Sequence, residues 1–229
     1  MLRAIFTALL LFAGLIPIQA TIDPATLLAG VKKKYDLVNN YSAVAQLKTN
    51  VLFIKAPVSL VNIYYRKPDQ LKIKNQKGVS FVPKGTVNIN LNNVLGLQNF
   101  EAIDAGSASI DGINCQIVKV FPINDAEEIT RATLYIDPAK LVVLRSLIST
   151  RENGTYEIQM RYGAYTNWGL PDKVVVEFNT RDFKLPKGTT LDYDNGSTKN
   201  TPKGPQKGKV EILYKSYLIN KGVTDAQLQ

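Results

Sequence analysis

The sequence predicts a mainly β protein: an antiparallel sheet of about ten or eleven strands, curled into a barrel or half-barrel, with one clear helix at the front. Three observations predict it. From Tyr41 onward apolar residues recur with period two in run after run. The runs are punctuated by two-residue hairpin signals, Asp111-Gly112 and Asn153-Gly154. Before Tyr41 one stretch carries the 3.6-residue period of a helix. A sheet of that size twists too strongly to stay flat, and its concave face must be covered by something.

The front helix is expected to start at Asp23-Pro24, an N-cap acid followed by proline in the first turn. Leu27, Val31, Tyr35 and Val38 form its apolar stripe, with Lys32, Lys33 and Lys34 largely off it. The stripe predicts about 16 residues, ending near Asn39-Asn40. The strands then follow in order. Ala43, Ala45, Leu47, Thr49, Val51 and Phe53 alternate with Gln46, Lys48 and Asn50; Val61, Ile63 and Tyr65 follow the Ala56-Pro57 turn; Leu71 and Ile73 follow Pro68-Asp69. These three read as an antiparallel meander. Residues 78–100 contain an apolar stretch, Leu91–Leu97, read as a short helix or a loop over the sheet. Strands resume at Ala102–Ile110, Ile113–Pro122, Thr130–Ile136, Leu141–Arg151, Tyr156–Tyr162, Val174–Phe178 and Val210–Tyr214. Residues 182–209 are rich in Lys, Gly, Pro and Thr and read as a long polar loop. Asp225–Gln229 reads as a short tail.

Composition narrows the chemistry. The 229 residues contain no histidine and one cysteine, Cys115. A histidine-based triad, a histidine-ligated metal and a cysteine-rich zinc site are therefore excluded, as is a disulfide within the chain. Cys115 lies in an alternating run and reads as a buried strand thiol. Asp111, Asp125, Glu127 and Glu128 form no recognisable catalytic pair, and no nucleophile elbow, phosphate loop or metal motif is present. The sequence predicts a non-enzymatic protein without cofactor or metal. Net charge is +9. The lysines are scattered over helix, strands and one loop, which does not favour nucleic acid and suits anionic lipid headgroups equally well.

Residues 1–20 read as a secretory signal: Arg3, then an apolar run from Ala4 to Ile16, then Ile18-Gln19-Ala20. The run is shorter than the ~20 residues of a membrane span. Cleavage after Ala20 leaves 21–229 as a single domain, expected to be soluble and periplasmic.

The order of these signals resembles the LolA-like family, which spans lipoprotein carriers, outer-membrane receptors and the RseB-type sensors. The resemblance rests on a signal segment before an amphipathic helix, and on a first strand that begins Tyr41-Ser42-Ala43-Val44-Ala45-Gln46-Leu47. It rests also on the basic-proline segment Arg66-Lys67-Pro68 between two strands, on Ile110-Asp111-Gly112 before a strand ending at Pro122, and on Thr133-Leu134-Tyr135-Ile136-Asp137. The close, Tyr217–Ala226, looks like the family's last strand and tail.

The resemblance implies an unclosed antiparallel β-barrel, a half-barrel, with the N-terminal helix and a short second helix as a lid over an apolar cavity. It implies a periplasmic carrier and chaperone that binds the acyl chains of lipoproteins or other lipids and moves them toward the outer membrane. An inner-membrane releasing complex and an outer-membrane acceptor would be its partners, and the carrier would be a monomer. The alternative is a lipid- or protein-sensing interaction module of the RseB type. Expected cavity residues are Val51, Phe53, Val61, Ile63, Tyr65, Leu71, Ile73, Ile117 and Phe121. The family's lid latch is an arginine directly before the proline; here that position is Lys67, with Arg66 before it, and lysine lacks the bidentate fork.

Overall fold

A computed structural model describes residues 22–51, 54–55, 58–77, 94–97, 99–152, 154–179 and 207–229. The expected signal segment up to Thr21, Phe53 and the whole of 78–93 and 180–206 lie outside these residues. Helix α1 (Pro24–Tyr35) comes first. The strands are β1 (Asn40–Val51), β2 (Ile54–Lys55), β3 (Ser59–Arg66), β4 (Gln70–Lys77), β5 (Phe100–Ile110), β6 (Ile113–Pro122), β7 (Ile129–Asp137), β8 (Val142–Thr150), β9 (Gly154–Arg161), β10 (Lys173–Asn179) and β11 (Lys207–Ile219). A one-turn helix, α2 (Asp225–Leu228), ends the chain.

The strands form one antiparallel sheet in the order β4-β3-β1-β11-β10-β9-β8-β7-β6-β5, with β2 paired only to β1. β4 and β5 stand at the two edges, so among the described residues the sheet does not close. The expected mainly β, open half-barrel is what the chain forms. Apart from β1 with β11, and β1 with β3 across the two-residue β2, the sheet pairs strands consecutive in the chain, as the meander reading expects. Asp111 (φ 49°) and Gly112 (φ 81°) make the β5–β6 turn with positive φ at both positions, as the predicted two-residue hairpin requires.

α1 is shorter than its apolar stripe implied: 12 residues, not about 16. Asp23 caps the start, its carboxylate accepting from the Thr26 N–H at 2.9 Å. The end is set from outside the helix. Lys67 donates its ammonium to the Asp36 carbonyl at 2.8 Å, and the Asn220 amide donates to the Leu37 carbonyl at 2.8 Å. With those carbonyls taken, the chain tightens into three-residue turns, Leu37 N–H to Lys34 and Val38 N–H to Tyr35. Val38 is still buried, at 3% exposure, but from a turn rather than a helix face.

One core runs under α1 and along the inner face of the sheet. It joins Leu27, Leu28 and Val31 to Ala45 and Leu47 of β1, Leu134 and Ile136 of β7, and Tyr156 and Ile158 of β9, all at or below 5% exposure. A smaller cluster of Cys115, Val142 and Leu144 lies apart from it. Burial pushes the Cys115 thiol up to about 11, so it stays protonated and inert at neutral pH, as its strand position predicted. β11 begins at Lys207, so the last residues of the expected polar loop are already strand.

At Gly208 β11 packs closely against β10. A Cβ there would stand 2.6 Å from two ring carbons of Phe178, which is itself buried. Gly208→Ala is expected to force that ring off its position and to cost about 1–3 kcal/mol, read as a lower thermal midpoint. An unchanged midpoint would mean that β10 and β11 are not packed this closely.

Candidate ligand-binding site

Register sets the inner face row by row. Ile73, Ile63, Ala43 and Tyr217 stand side by side across β4, β3, β1 and β11. The next row is Leu71, Tyr65, Tyr41 and Ile219. Farther along, Leu47, Ile212, Val174 and Met160 align across β1, β11, β10 and β9. Many of these residues are only half-buried: Leu71, Ile73, Tyr41, Val174, Ile212 and Tyr214 all pack on the core and still keep accessible surface. The inner face is apolar and incompletely covered.

Among the residues expected to line a cavity, five meet here. Val61, Ile63 and Tyr65 are buried on β3, and Leu71 and Ile73 flank them on β4. Val51 ends β1. Phe53 lies outside the described residues. Ile117 and Phe121 do not join the group. They alternate on β6 with Val118 and Val120, which hold the inner positions, and Ile117 pairs with Tyr135 on the opposite face. Sequence alternation gave the wrong face because β6 is apolar on both sides: Cys115, next but one to Ile117, belongs to the smaller outer cluster.

α1 bridges the two arms of the open sheet. At its start, Gln116 of β6 takes both backbone groups of Ile22, accepting from N–H at 3.1 Å and donating to C=O at 2.6 Å. At its end, Asp36 receives Lys67 from the β3–β4 turn, on the other arm. Midway, Gly30 sits over Leu141, where a Cβ would come within 3.2 Å of the leucine side chain, and the Lys34 ammonium reaches the Lys140 carbonyl. Beside the helix a slot of about 140 Å³ runs between Ala25, Leu28 and Ala29 of α1 and Val94, Leu95 and Leu97, with Val120 beneath. Val94 and Leu95 are the described end of the expected short apolar helix, and both are buried against the core.

No protein-family model matches the sequence. No curated protein matches it either. Solved structures do resemble it. A DUF1329 family protein from Desulfovibrio piger superposes with a TM-score of 0.56 at 13% identity, over 91% of this chain and 98% of its own. A LolA superfamily protein from Nitrosomonas europaea gives 0.56 at 7% identity over 91% and 98%. A putative outer membrane lipoprotein-sorting protein domain from Vibrio parahaemolyticus gives 0.55 at 7% identity over 90% and 97%. The chain has the LolA-like fold.

Within this LolA-like half-barrel the two basic residues before Pro68 have separate tasks. Lys67 is bound to α1, through the Asp36 carbonyl and, at 3.3 Å, its carboxylate. Arg66 turns to the tail instead: it pairs with Asp225 at 2.7 Å and donates to the Val223 carbonyl at 3.4 Å and to Gln70 at 2.7 Å. The Asp36 carboxyl is held below its ordinary value first by the hydrogen bond from Lys32 and, against some burial, by Lys67.

The sequence reading missed most of the tyrosines. Tyr35, Tyr41, Tyr65, Tyr162, Tyr165, Tyr214 and Tyr217 gather where α1 ends over the sheet. Tyr41 stacks on Tyr65 at 5.2 Å, Tyr214 on Tyr217 at 4.8 Å, and Tyr165 meets Tyr217 edge-on at 4.8 Å. Burial pushes the phenols of Tyr35 and Tyr214 up to about 12 and those of Tyr41, Tyr162 and Tyr217 well above their ordinary value. Yet Tyr35, Tyr41, Tyr162, Tyr165 and Tyr214 retain accessible surface.

A second hollow, of about 410 Å³, lies by the β5–β6 and β7–β8 turns over the outer cluster, rimmed by the Arg161–Asp111 ion pair at 3.0 Å. None of the expected cavity residues line it.

Two outcomes follow from this geometry. Ser146 is fully buried on β8 and, among the described residues, its hydroxyl has no partner; it stands opposite Ile158 and Leu134. Ser146→Ala removes an unsatisfied group and should raise stability by about 1 kcal/mol, read by denaturant titration; a loss of stability would show that the hydroxyl is satisfied. Lys67→Met should cost less than about 1 kcal/mol globally because the pair is half-exposed. It should still speed hydrogen exchange at the C-terminal turn of α1; unchanged exchange there would mean the ammonium holds nothing. The Asp36 contribution has a defined sign. A lowered folded value stabilises above the unfolded carboxylate value near ~4 and is lost as pH falls through the folded one.

Proposed function

We propose that this chain is a periplasmic, non-enzymatic carrier that takes acyl chains of lipoproteins or other lipids onto the inner face of its half-barrel, beneath α1 and the 94–97 segment. The observation that supports it best is the partial cover of that face: α1 buries only Leu27, Leu28 and Val31, and a slot opens beside it between two apolar walls. The LolA-like fold agrees, since one of the similar structures is described as a lipoprotein-sorting domain. In this reading residues 1–20 direct export, Val61, Ile63, Tyr65, Leu71 and Ile73 contact cargo, and an inner-membrane releasing complex and an outer-membrane acceptor load and unload it.

Magnitudes decide how such a carrier works. Burying a 16-carbon chain is worth on the order of 10 kcal/mol at ~0.8 kcal/mol per CH₂. The slot of about 140 Å³ is the size of a void that holds one benzene ring, so a full chain enters only as α1 or the 94–97 segment moves aside. The lid contacts then given up offset part of the gain, and the net affinity drops to a range from which cargo can be released. Lys67 on Asp36 is the latch of that movement, a point charge on a helix end where the family has an arginine.

Protein purified from its native host should carry acyl lipid, identified by extraction and mass spectrometry. Ala29→Trp, which fills the slot from the exposed side of α1, should leave the thermal midpoint within about 2 °C and reduce both the lipid carried and the uptake of a fluorescent fatty acid several-fold. A folded variant with undiminished uptake, together with no lipid in the native protein, would sink the carrier reading.

A further inference from the structure

The pairing of β8 with β9 stops short. It runs from Thr150 and Gly154 to Arg145 and Gln159 and no farther. β8 itself begins at Val142, and β9 goes on to Arg161. On their other sides both ends stay paired, Val142 and Val143 to β7, Met160 and Arg161 to β10. The sheet therefore opens between β8 and β9, at the end where the β5–β6 and β7–β8 turns lie. The hollow of about 410 Å³ occupies this opening. Val142 and Leu144 wall it on one side, Met160 and Tyr162 on the other, and Ile110 and Ile113 from the β5–β6 hairpin. Tyr162 spans the gap, its hydroxyl donating to the Val143 carbonyl at 3.0 Å where a strand would have made a ladder bond. The same ring packs on the main core and on the outer cluster, and so stands between the hollow and the inner face.

The charges on the rim are unevenly used. The Asp137 carboxylate accepts from the Ala139 and Lys140 N–H groups at 2.9 and 3.1 Å. Asp111 pairs with Arg161 at 3.0 Å, but both are largely exposed, so that pair is weak and easily exchanged. The Lys140 carbonyl receives the Lys34 ammonium. Among the described residues the Lys140 ammonium itself has no partner. Both acids are matched, and a cation is left over beside an apolar hollow.

We propose that this opening binds a single-chain amphiphile with an anionic head, a carboxylate or a phosphate. The tail lies between β8 and β9, and the head meets Lys140 and Arg161. The site is separate from the slot beside α1 and does not rest on the carrier reading. Its volume falls in the range of small-ligand pockets, roughly 300–1,000 Å³, and apolar walls with a few polar groups at one side are how such pockets orient a ligand. A cationic head would meet Lys140 and find Asp111 and Asp137 already engaged. A neutral head would leave the surplus charge unused. An added peptide strand fits poorly, because the Tyr162 hydroxyl already takes the Val143 carbonyl that its ladder would use.

Beyond Met1, Met160 is the only methionine, so its methyl NMR signal reports on the hollow directly. The titration uses the Ala29→Trp protein, in which the slot beside α1 is filled. Laurate and dodecyl phosphate should shift the Met160 signal saturably. They should bind about threefold to tenfold tighter than dodecyltrimethylammonium at low salt, a ratio that shrinks as salt is added. Tighter laurate points to a fatty acid as the ligand class, tighter dodecyl phosphate to a phosphate-headed lipid. The double variant Lys140→Gln/Arg161→Gln changes only the exposed rim; it should erase the preference for the anions and keep the binding of the tail. Ile113→Trp fills the hollow and should abolish the shift; if that variant does not fold, the rim variant decides. No shift, binding of the cation as tight as that of the anions, or a preference that survives the rim variant would overturn the site. A saturable shift in a chain that carries no lipid from its host, and whose fatty-acid uptake Ala29→Trp leaves unchanged, would sink the carrier reading and leave this site standing.

Discussion

An open antiparallel sheet of ten strands has one large apolar face and, among the described residues, little helix to lay over it. That mismatch governs the rest of the structure. The sheet curls so that its own arms shelter the inner face, which lowers the area a lid must cover. α1 then has to reach from one arm to the other, and it is fixed at both ends by polar contacts: Gln116 on Ile22 at one, Lys67 on Asp36 at the other. Its apolar contribution in between is three buried side chains. A helix tied at its ends and lightly packed along its length is suited to moving without unfolding the sheet, because the strand ladder makes no demand on it.

The positive charge of the chain has a local logic. Lys67 meets the carbonyl at the end of α1, and Lys72 and Lys74 meet the Gln229 and Ala226 carbonyls in and after α2. Arg66 adds an ion pair to Asp225. These cations neutralise backbone ends that carry partial negative charge. One turn of helix has almost no stability of its own, so α2 persists on β3 and β4 because of these contacts and its Thr224–Gln227 capping box. Lysines that read as a diffuse surface charge in the sequence are partly clamps in the fold.

What was legible in the sequence follows from which forces are local. Strand alternation, the Asp111-Gly112 turn and the Asp23-Pro24 helix start depend on near neighbours, and each was readable. The end of α1 was not, since Lys67 and Asn220 set it from far along the chain. Alternation also failed to choose between the faces of β6, where Ile117 and Phe121 look like Val118 and Val120 but lie on the other side. The core group on β3 and β4 was recovered because those strands are apolar on one side only. Of the tyrosine cluster the sequence singled out only Tyr65 as a candidate cavity residue. Its members come from a helix, three strands and a turn, and only the pairing of β1 with both β3 and β11 brings Tyr41, Tyr65 and Tyr217 together.

Phenols at that place meet a difficulty that any cluster of buried polar groups faces. A buried polar group without a partner costs about 1–3 kcal/mol, so a cavity lined with amides or charges would be strained whenever the cargo had left. Tyrosines reduce this cost among themselves. Their rings stack and meet edge-on whether or not a ligand is present, and most of their hydroxyls bond to backbone carbonyls or to one another. Aromatic pairing adds roughly 0.5–1.5 kcal/mol per contact to the burial itself. In the carrier proposed above, the hydrocarbon chain, exchanged against the lid, then sets the affinity.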